Sequence, residues 1–481
     1  MRLDRPAMSP GLVIVANRLP VEVDTASPRR SSAGGLVSAL SSVATTGTQW
    51  VGYAGSNAVE GPLDCDGLRI QPVSIDDADF EQYYQGFSNT VLWPLFHGRL
   101  QPVELNRAWW HAYRTVNARF ADAVAEATPL GGTAWVHDYH LLLAPALIRS
   151  RRPDLRIGLF LHIPFPSACI FSTLPWRQEI VEGMLGADVI GFQVTQDVEN
   201  FAAAAERCAG VRFSSGRLRF GSHVVDIDEF PISIDFSVWN ELGARATTRG
   251  WAHRRDVGAD TIFLGVDRLD YTKGILQRLT AFGELLDEGQ LEPETCTFVQ
   301  IGVPTRCDVP AYRRERDCIE MLTGQINARH RRENGSEPII FMQAAFEADE
   351  LAAWYTAADV LVVTSLADGM NLVAKEFVAA RGTRGASVIL SEFAGAAAGL
   401  HGALIVNPYD IEAIKQAMLH ALRMPEHARQ ERLRAMRATV QHHDVHHWAR
   451  QFLCRLQGGQ VGTFPTQPVN PAQHGPDVGV R

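Results

Sequence analysis

No run of 18 apolar residues occurs in this 481-residue chain, so a membrane-spanning helix of ~20 residues is not expected. Val13-Ile14-Val15-Ala16 is too short for a signal-peptide core and reads as a buried strand. Cysteine is sparse: seven residues, at 65, 169, 208, 296, 307, 318 and 454, without a C-x-x-C. That odd, scattered count favours neither a disulfide framework nor a zinc knuckle, and it fits a reducing cytoplasm. Basic charge is not in excess, because 45 Lys+Arg stand against 54 Asp+Glu for a net charge of −9. The chain as a whole therefore shows no footprint for nucleic acid or an anionic membrane. The turn Ser31-Ser32-Ala33-Gly34-Gly35-Leu36 lacks the G-x-G-x-x-G spacing of dinucleotide sites. No Ser or Cys elbow accompanies the His and Asp clusters described below, which speaks against covalent Ser or Cys catalysis.

What is present is ordinary globular composition, 46% hydrophobic and 21% charged, over a length that suggests two to three domains at roughly 150 residues each. Short apolar runs alternate with helical patterns. Gly11 to Ala16, Thr133 to Val136, Arg156 to Leu161 and Val189 to Phe192 form one series of candidate strands. A second series begins at Thr261 to Val266 and runs through Thr297 to Ile301, Ile339 to Met342, Val360 to Thr364, Ser387 to Leu390 and Ala403 to Val406. This rhythm predicts an α/β protein with two doubly wound parallel sheets. Ligands of such sheets bind at the carboxyl ends of the strands, so a cleft between two facing domains is the expected site. Pro231 to Asp260 has few apolar runs and several arginines, and the boundary is expected near residues 235–255. The resulting division is 1–240, then 241–440, then a helix over 441–457 packing back on the first domain, then a flexible tail over 458–481.

The motifs lie at strand ends. Gly34 and Gly35 would let a ligand approach a helix N-terminus closely, although taken alone they read better as a plain strand-to-helix turn. In Asp267-Arg268-Leu269-Asp270-Tyr271-Thr272-Lys273-Gly274 the cations Arg268 and Lys273 suit a diphosphate, and the competing reading is a solvated loop. Asp368-Gly369-Met370-Asn371-Leu372-Val373-Ala374-Lys375-Glu376 offers backbone N–H groups at a helix start, with Asp368 for sugar hydroxyls and Glu376 for a ribose diol. An Asp-capped helix is the bland alternative. His162-Ile163-Pro164-Phe165-Pro166 and His137-Asp138-Tyr139-His140 place His162 and Asp138 at the ends of adjacent predicted strands. The D-x-D triplets Asp64-Cys65-Asp66 and Asp226-Ile227-Asp228 read as a turn and a strand edge rather than a metal site. The histidines at 442, 443, 446 and 447 could offer zinc ligands at helical spacing, but Asp444 among them reads as the N-cap of a structural helix running to Leu456.

The ordered set resembles the trehalose-6-phosphate synthase family of retaining glycosyltransferases, from about Val13 to Trp448. Its carriers are Ala16-Asn17-Arg18-Leu19-Pro20, Ala33-Gly34-Gly35-Leu36, Gln82-Tyr83-Tyr84 with Phe87 to Pro94, and the four segments around His137, His162, Asp267 and Asp368, closed by Asn407-Pro408-Tyr409-Asp410. The resemblance implies a GT-B fold of two Rossmann-like domains facing a central cleft. It implies transfer of glucose from UDP-glucose to glucose 6-phosphate, giving α,α-trehalose 6-phosphate and UDP, without a metal or cofactor. On the donor side it implies Gly34, Gly35, His162, Arg268, Lys273, Asp368, Gly369, Met370, Asn371, Leu372, Val373 and Glu376. On the acceptor side it implies Arg18, Tyr84, Trp93, Asp138 and Arg306. Asp138, His162, Arg268, Lys273 and Asp368 would stand nearest the chemistry. Tyr53 and Thr272 depart from many relatives without removing a charge. The expected partners are these small molecules alone, with no nucleic acid and no membrane, in the cytoplasm; a homo-oligomer is compatible. Open alternatives are another acceptor, such as that of a glucosylglycerol-phosphate synthase, another nucleotide-glucose donor, or a silent sugar-phosphate sensor.

Overall fold

The structure is a computed structural model that describes residues 11–23, 28–30, 35–44, 47–55, 61–65, 67–99 and 104–459. The chain divides into two compact units. Of the described residues, one unit holds those up to Ile232 together with those from Val445 on, and the other holds Ser233–Asp444. The boundary thus falls between Ile232 and Ser233, just ahead of the expected 235–255. That segment is a 22-residue helix, Phe236–Val257, and it belongs to the second unit.

In the first unit seven parallel strands form the body of one sheet. Their spatial order is Leu68–Val73, Gln49–Tyr53, Leu12–Arg18, Thr133–His137, Arg156–Phe160, Val189–Phe192 and His223–Glu229, with antiparallel strands at both edges. In chain order this is 3-2-1-4-5-6-7, the doubly wound pattern. Val13, Ile14, Val15, Val136 and Leu159 are fully or almost fully buried, as expected of parallel strands covered on both faces. The last helix, Val445–Leu456, closes one side of this unit. Phe452 is fully buried and stacks on Trp135 at 5.0 Å. A Cβ on Gly158 or Gly191 would lie 2.7 or 2.8 Å from the Phe452 ring, so both strand glycines make room for it.

The second unit has six parallel strands, Ile339–Met342, Cys296–Val303, Thr261–Arg268, Val360–Val363, Ser387–Ser391 and Leu404–Val406 in spatial order. Numbered along the chain they again read 3-2-1-4-5-6. The sequence expectations for these strands hold to within a residue or two. One element was not expected: Glu81–Leu92 is a π-helix. Its wide turn is visible in side chains that bond five residues back, Asn89 Nδ2 to Tyr84 O at 2.7 Å and Thr90 Oγ1 to Gln85 O at 2.7 Å. Among the described residues, no helix is long and apolar enough to cross a membrane.

Candidate active site

Open α/β sheets hold ligands where the strand order reverses. In the first unit that point lies between Leu12–Arg18 and Thr133–His137. Arg18 ends the first of these strands, and its Nη2 donates to Tyr84 Oη at 3.1 Å. Tyr84 stacks on His140, with ring centroids 5.6 Å apart and planes 9° apart. Its backbone carbonyl is held by Asn89, whose Oδ1 accepts from Tyr139 Oη at 2.8 Å. Trp93 is buried against Tyr139 and His97. Asp138 follows the second strand with φ 74°, an uncommon conformation for a residue other than glycine. Its Oδ1 accepts from the backbone N–H of His162 at 3.2 Å, which ties two strand ends together. The imidazole of His162 sits 3.1 Å from Nδ1 of His137. Burial pushes His162 down to about 3, and burial followed by the neighbouring His162 pushes His137 well below its ordinary value. Both rings are therefore neutral near pH 7. Gly35 opens the helix Gly35–Val43; Gly34 lies outside the described residues.

In the second unit the reversal lies between Thr261–Arg268 and Val360–Val363. Arg268 is the last residue of the first strand and is partly exposed. The loop after it turns at Gly274, φ 60°, where a Cβ would lie 2.0 Å from Thr364 O. Only glycine permits that close approach, and it sets Lys273 beside the next strand's loop. Lys273 Nζ donates to Asp368 Oδ2 at 2.6 Å, and Ser365 and Asn371 donate to the same oxygen at 3.2 Å. Asp368 is therefore not the cap of the following helix. Asn371 is the cap, with φ 73° and its side chain accepting from Ala374 N at 3.1 Å. The amides of Leu372 and Val373 fall in the first helical turn, where no intrahelical partner exists. A turn and a half into the helix, Glu376 accepts from Tyr355 Oη at 2.9 Å. Burial pushes Glu376 up to about 7, with the Tyr355 bond opposing.

Between the cations lies a residue that the sequence reading gave no role. Asp270 is fully buried, and its Oδ1 accepts from the Thr272 amide at 3.0 Å and hydroxyl at 2.9 Å. Its Oδ2 lies 3.6 Å from Arg306 Nη1 and 4.0 Å from Arg268 Nη2. Burial alone would raise this carboxyl; the charges of Arg268, Arg306 and Lys273 and the Thr272 N–H outweigh it and hold the group below its ordinary value. Arg306, expected on the acceptor side, thus shares one carboxylate with Arg268, expected on the donor side. It has φ 46° and also donates to Tyr312 Oη. Beneath this layer the fully buried Arg278 pairs with Asp267 and donates to Gln300 Oε1 at 2.9 Å.

The remaining motifs resolve as structural. Asp64 Oδ1 accepts from Gly67 N in a hairpin turn, and Asp226 and Asp228 pair with Arg217 and Arg455. Among the described residues no three His, Cys, Asp or Glu side chains are grouped to hold a metal ion. The histidines at 446 and 447 lie on the helix Val445–Leu456.

The model of glycosyltransferase family 20 matches residues 10–458. The trehalose-6-phosphate synthase of Mycobacterium marinum is 44% identical over 468 residues, 92% of this chain and 93% of that protein. That of Mycobacterium tuberculosis H37Rv is 42% identical over 472 residues, 93% and 94% of the two chains. The crystal structure of a UDP-forming α,α-trehalose-phosphate synthase from Burkholderia xenovorans, in complex with glucose-6-phosphate, superposes with a TM-score of 0.87 at 34% identity, covering 93% of this chain and 100% of that one. An E. coli structure bound with UDP-2-fluoro glucose gives 0.84 at 32% identity over 93% and 98%. The fold is GT-B, built from two Rossmann-like units. With more than nine-tenths of its length matched, the chain belongs to glycosyltransferase family 20.

Proposed function

We propose that this enzyme transfers glucose from UDP-glucose to glucose 6-phosphate, with retention of the anomeric configuration, releasing UDP and α,α-trehalose 6-phosphate. The observation that carries this reading is the set of three cations, Arg268, Lys273 and Arg306, gathered around Asp270 beside the strand-order reversal of the second unit. Two phosphorylated substrates need such local positive charge in a chain whose net charge is −9.

Arg268 and Lys273 hold the donor diphosphate and stabilise the charge that grows on UDP as it leaves. Arg18 and Arg306 hold the acceptor phosphate, with Tyr84, Trp93 and Asp138 against its sugar. Asp368 and the backbone from Gly369 to Asn371 hold the donor glucose. The amides of Leu372 and Val373 meet the nucleotide, Glu376 accepts from the ribose hydroxyls, and Gly34 and Gly35 close over the donor phosphates. His162, neutral near pH 7, is suited to hydrogen-bonding the donor 6-hydroxyl rather than a phosphate. The reaction uses no metal or cofactor, and the cytoplasm is the proposed compartment.

A nucleotide-release assay over a matrix of donors and acceptors tests the proposal. UDP-glucose with glucose 6-phosphate is expected to give the highest kcat/KM, and the product to show the α,α linkage by NMR. A clear preference for another acceptor or another nucleotide overturns the assignment. Activity is expected to persist in EDTA, and its complete loss there would overturn metal independence.

A further inference from the structure

We infer that Asp270 is a positioning residue that couples the donor and acceptor phosphate subsites, holding Arg268 toward one and Arg306 toward the other. This rests on the function proposed above. The carboxylate cannot be a solvated loop charge, because it has no exposure. Its two oxygens do different work. Oδ1 is saturated by the Thr272 amide and hydroxyl, which fixes the carboxylate plane to its own loop. Oδ2 accepts no hydrogen bond among the described residues. It is aimed instead between two guanidinium groups, at 3.6 Å and 4.0 Å.

Those distances are near enough for strong attraction away from water, yet too long for hydrogen bonds from either guanidinium to this oxygen. The carboxylate charge between the two guanidinium groups offsets their mutual repulsion. Lys273 contributes to the same field and is itself directed by Asp368. A ligand phosphate that draws Arg306 alters the balance at Asp270 and hence at Arg268. One buried charge thus serves both substrates.

The test is a comparison of Asp270→Asn, Thr272→Ala, Arg306→Ala and the double variant Asp270→Asn with Arg306→Ala. Asn preserves the shape and can still accept from Thr272, so only the charge is lost. Thr272→Ala removes one hydrogen bond and keeps the charge, giving the baseline for loop support. In the D270N enzyme kcat/KM is expected to fall on the order of tenfold for UDP-glucose and for glucose 6-phosphate together. Its melting temperature should stay close to that of T272A. In the double variant, loss of Arg306 should cost much less than it does in the wild type, because the two act as a unit. Calorimetry with UDP alone and glucose 6-phosphate alone should show both affinities weakened in D270N. A loss confined to one substrate, additive effects in the double variant, or a matching loss in T272A overturns the inference. Absence of UDP release by the wild type would instead overturn the proposed function, and the two calorimetric titrations would still decide the coupling.

Discussion

Arg268 and Lys273 are separated by a loop of four residues, yet each is directed by a different carboxylate, Asp270 for one and Asp368 for the other. Replacing either cation by Ala is expected to slow turnover on the order of a hundredfold, about 3 kcal/mol of lost transition-state stabilisation. Steady-state UDP release measures this, and wild-type rates in both variants would refute the diphosphate assignment. Glu376 offers a pH test. Burial raises it to about 7 from an ordinary value of 4.5, so the proton stays on below neutrality and the carboxyl becomes a weaker acceptor for ribose hydroxyls. KM for UDP-glucose should therefore rise as pH falls through about 7, and the rise should vanish in Glu376→Gln. The sign for stability is the opposite one. The folded chain holds this proton more tightly than the unfolded chain, so the contribution is present at low pH and is lost as pH rises through about 7. The placing of Arg268, Lys273 and Asp368 in loops after strands was legible because short apolar runs mark the strand ends of a doubly wound sheet. The burial of Asp270 was not, since a carboxylate among loop cations looks solvated.

At the level of single elements, small residues carried what apolar runs did not. The segment that forms the helix Phe236–Val257 read as a domain boundary because it has few apolar runs and several arginines. Its packing seam is Gly243, Ala246 and Gly250, where a Cβ on Gly243 would lie 1.9 Å from Ala380 O and one on Gly250 would lie 2.2 Å from Thr356 Oγ1. Such close backbone approach leaves almost no hydrophobic signal. The π-helix Glu81–Leu92 was equally hidden, because its register depends on Asn89 and Thr90 finding partners five residues back. By contrast the helix Val445–Leu456 announces itself through Trp448, Phe452 and Leu456, all buried. Phe452→Ala should cost about 3–5 kcal/mol, since the ring fills the space left by Gly158 and Gly191. Urea denaturation followed by tryptophan fluorescence measures this, with a cost below about 1 kcal/mol refuting the packing role.

For the whole molecule, alternation of strands and helices made both sheets legible, but not their strand orders, which arise from which edges meet in three dimensions. The sequence led to the expectation of a helix over 441–457 packing back on the first domain; in the structure the first unit is discontinuous, its final helix arriving after Ser233–Asp444. A chain ending at Asp444 should lack the side of that unit formed by Trp448 and Phe452. Such a chain is expected to accumulate as insoluble or protease-sensitive material. A stable truncated chain with native-like limited proteolysis would contradict this.

That discontinuity has a consequence for biosynthesis. A ribosome adding ~5–20 residues per second needs roughly ten to forty seconds to traverse Ser233–Asp444. Throughout that interval the earliest-made strands wait, with Trp135 uncovered, for a helix not yet translated. The nascent polypeptide thus completes its last-made lobe before its first, and whatever shields the waiting surface in the cell governs the yield of active enzyme.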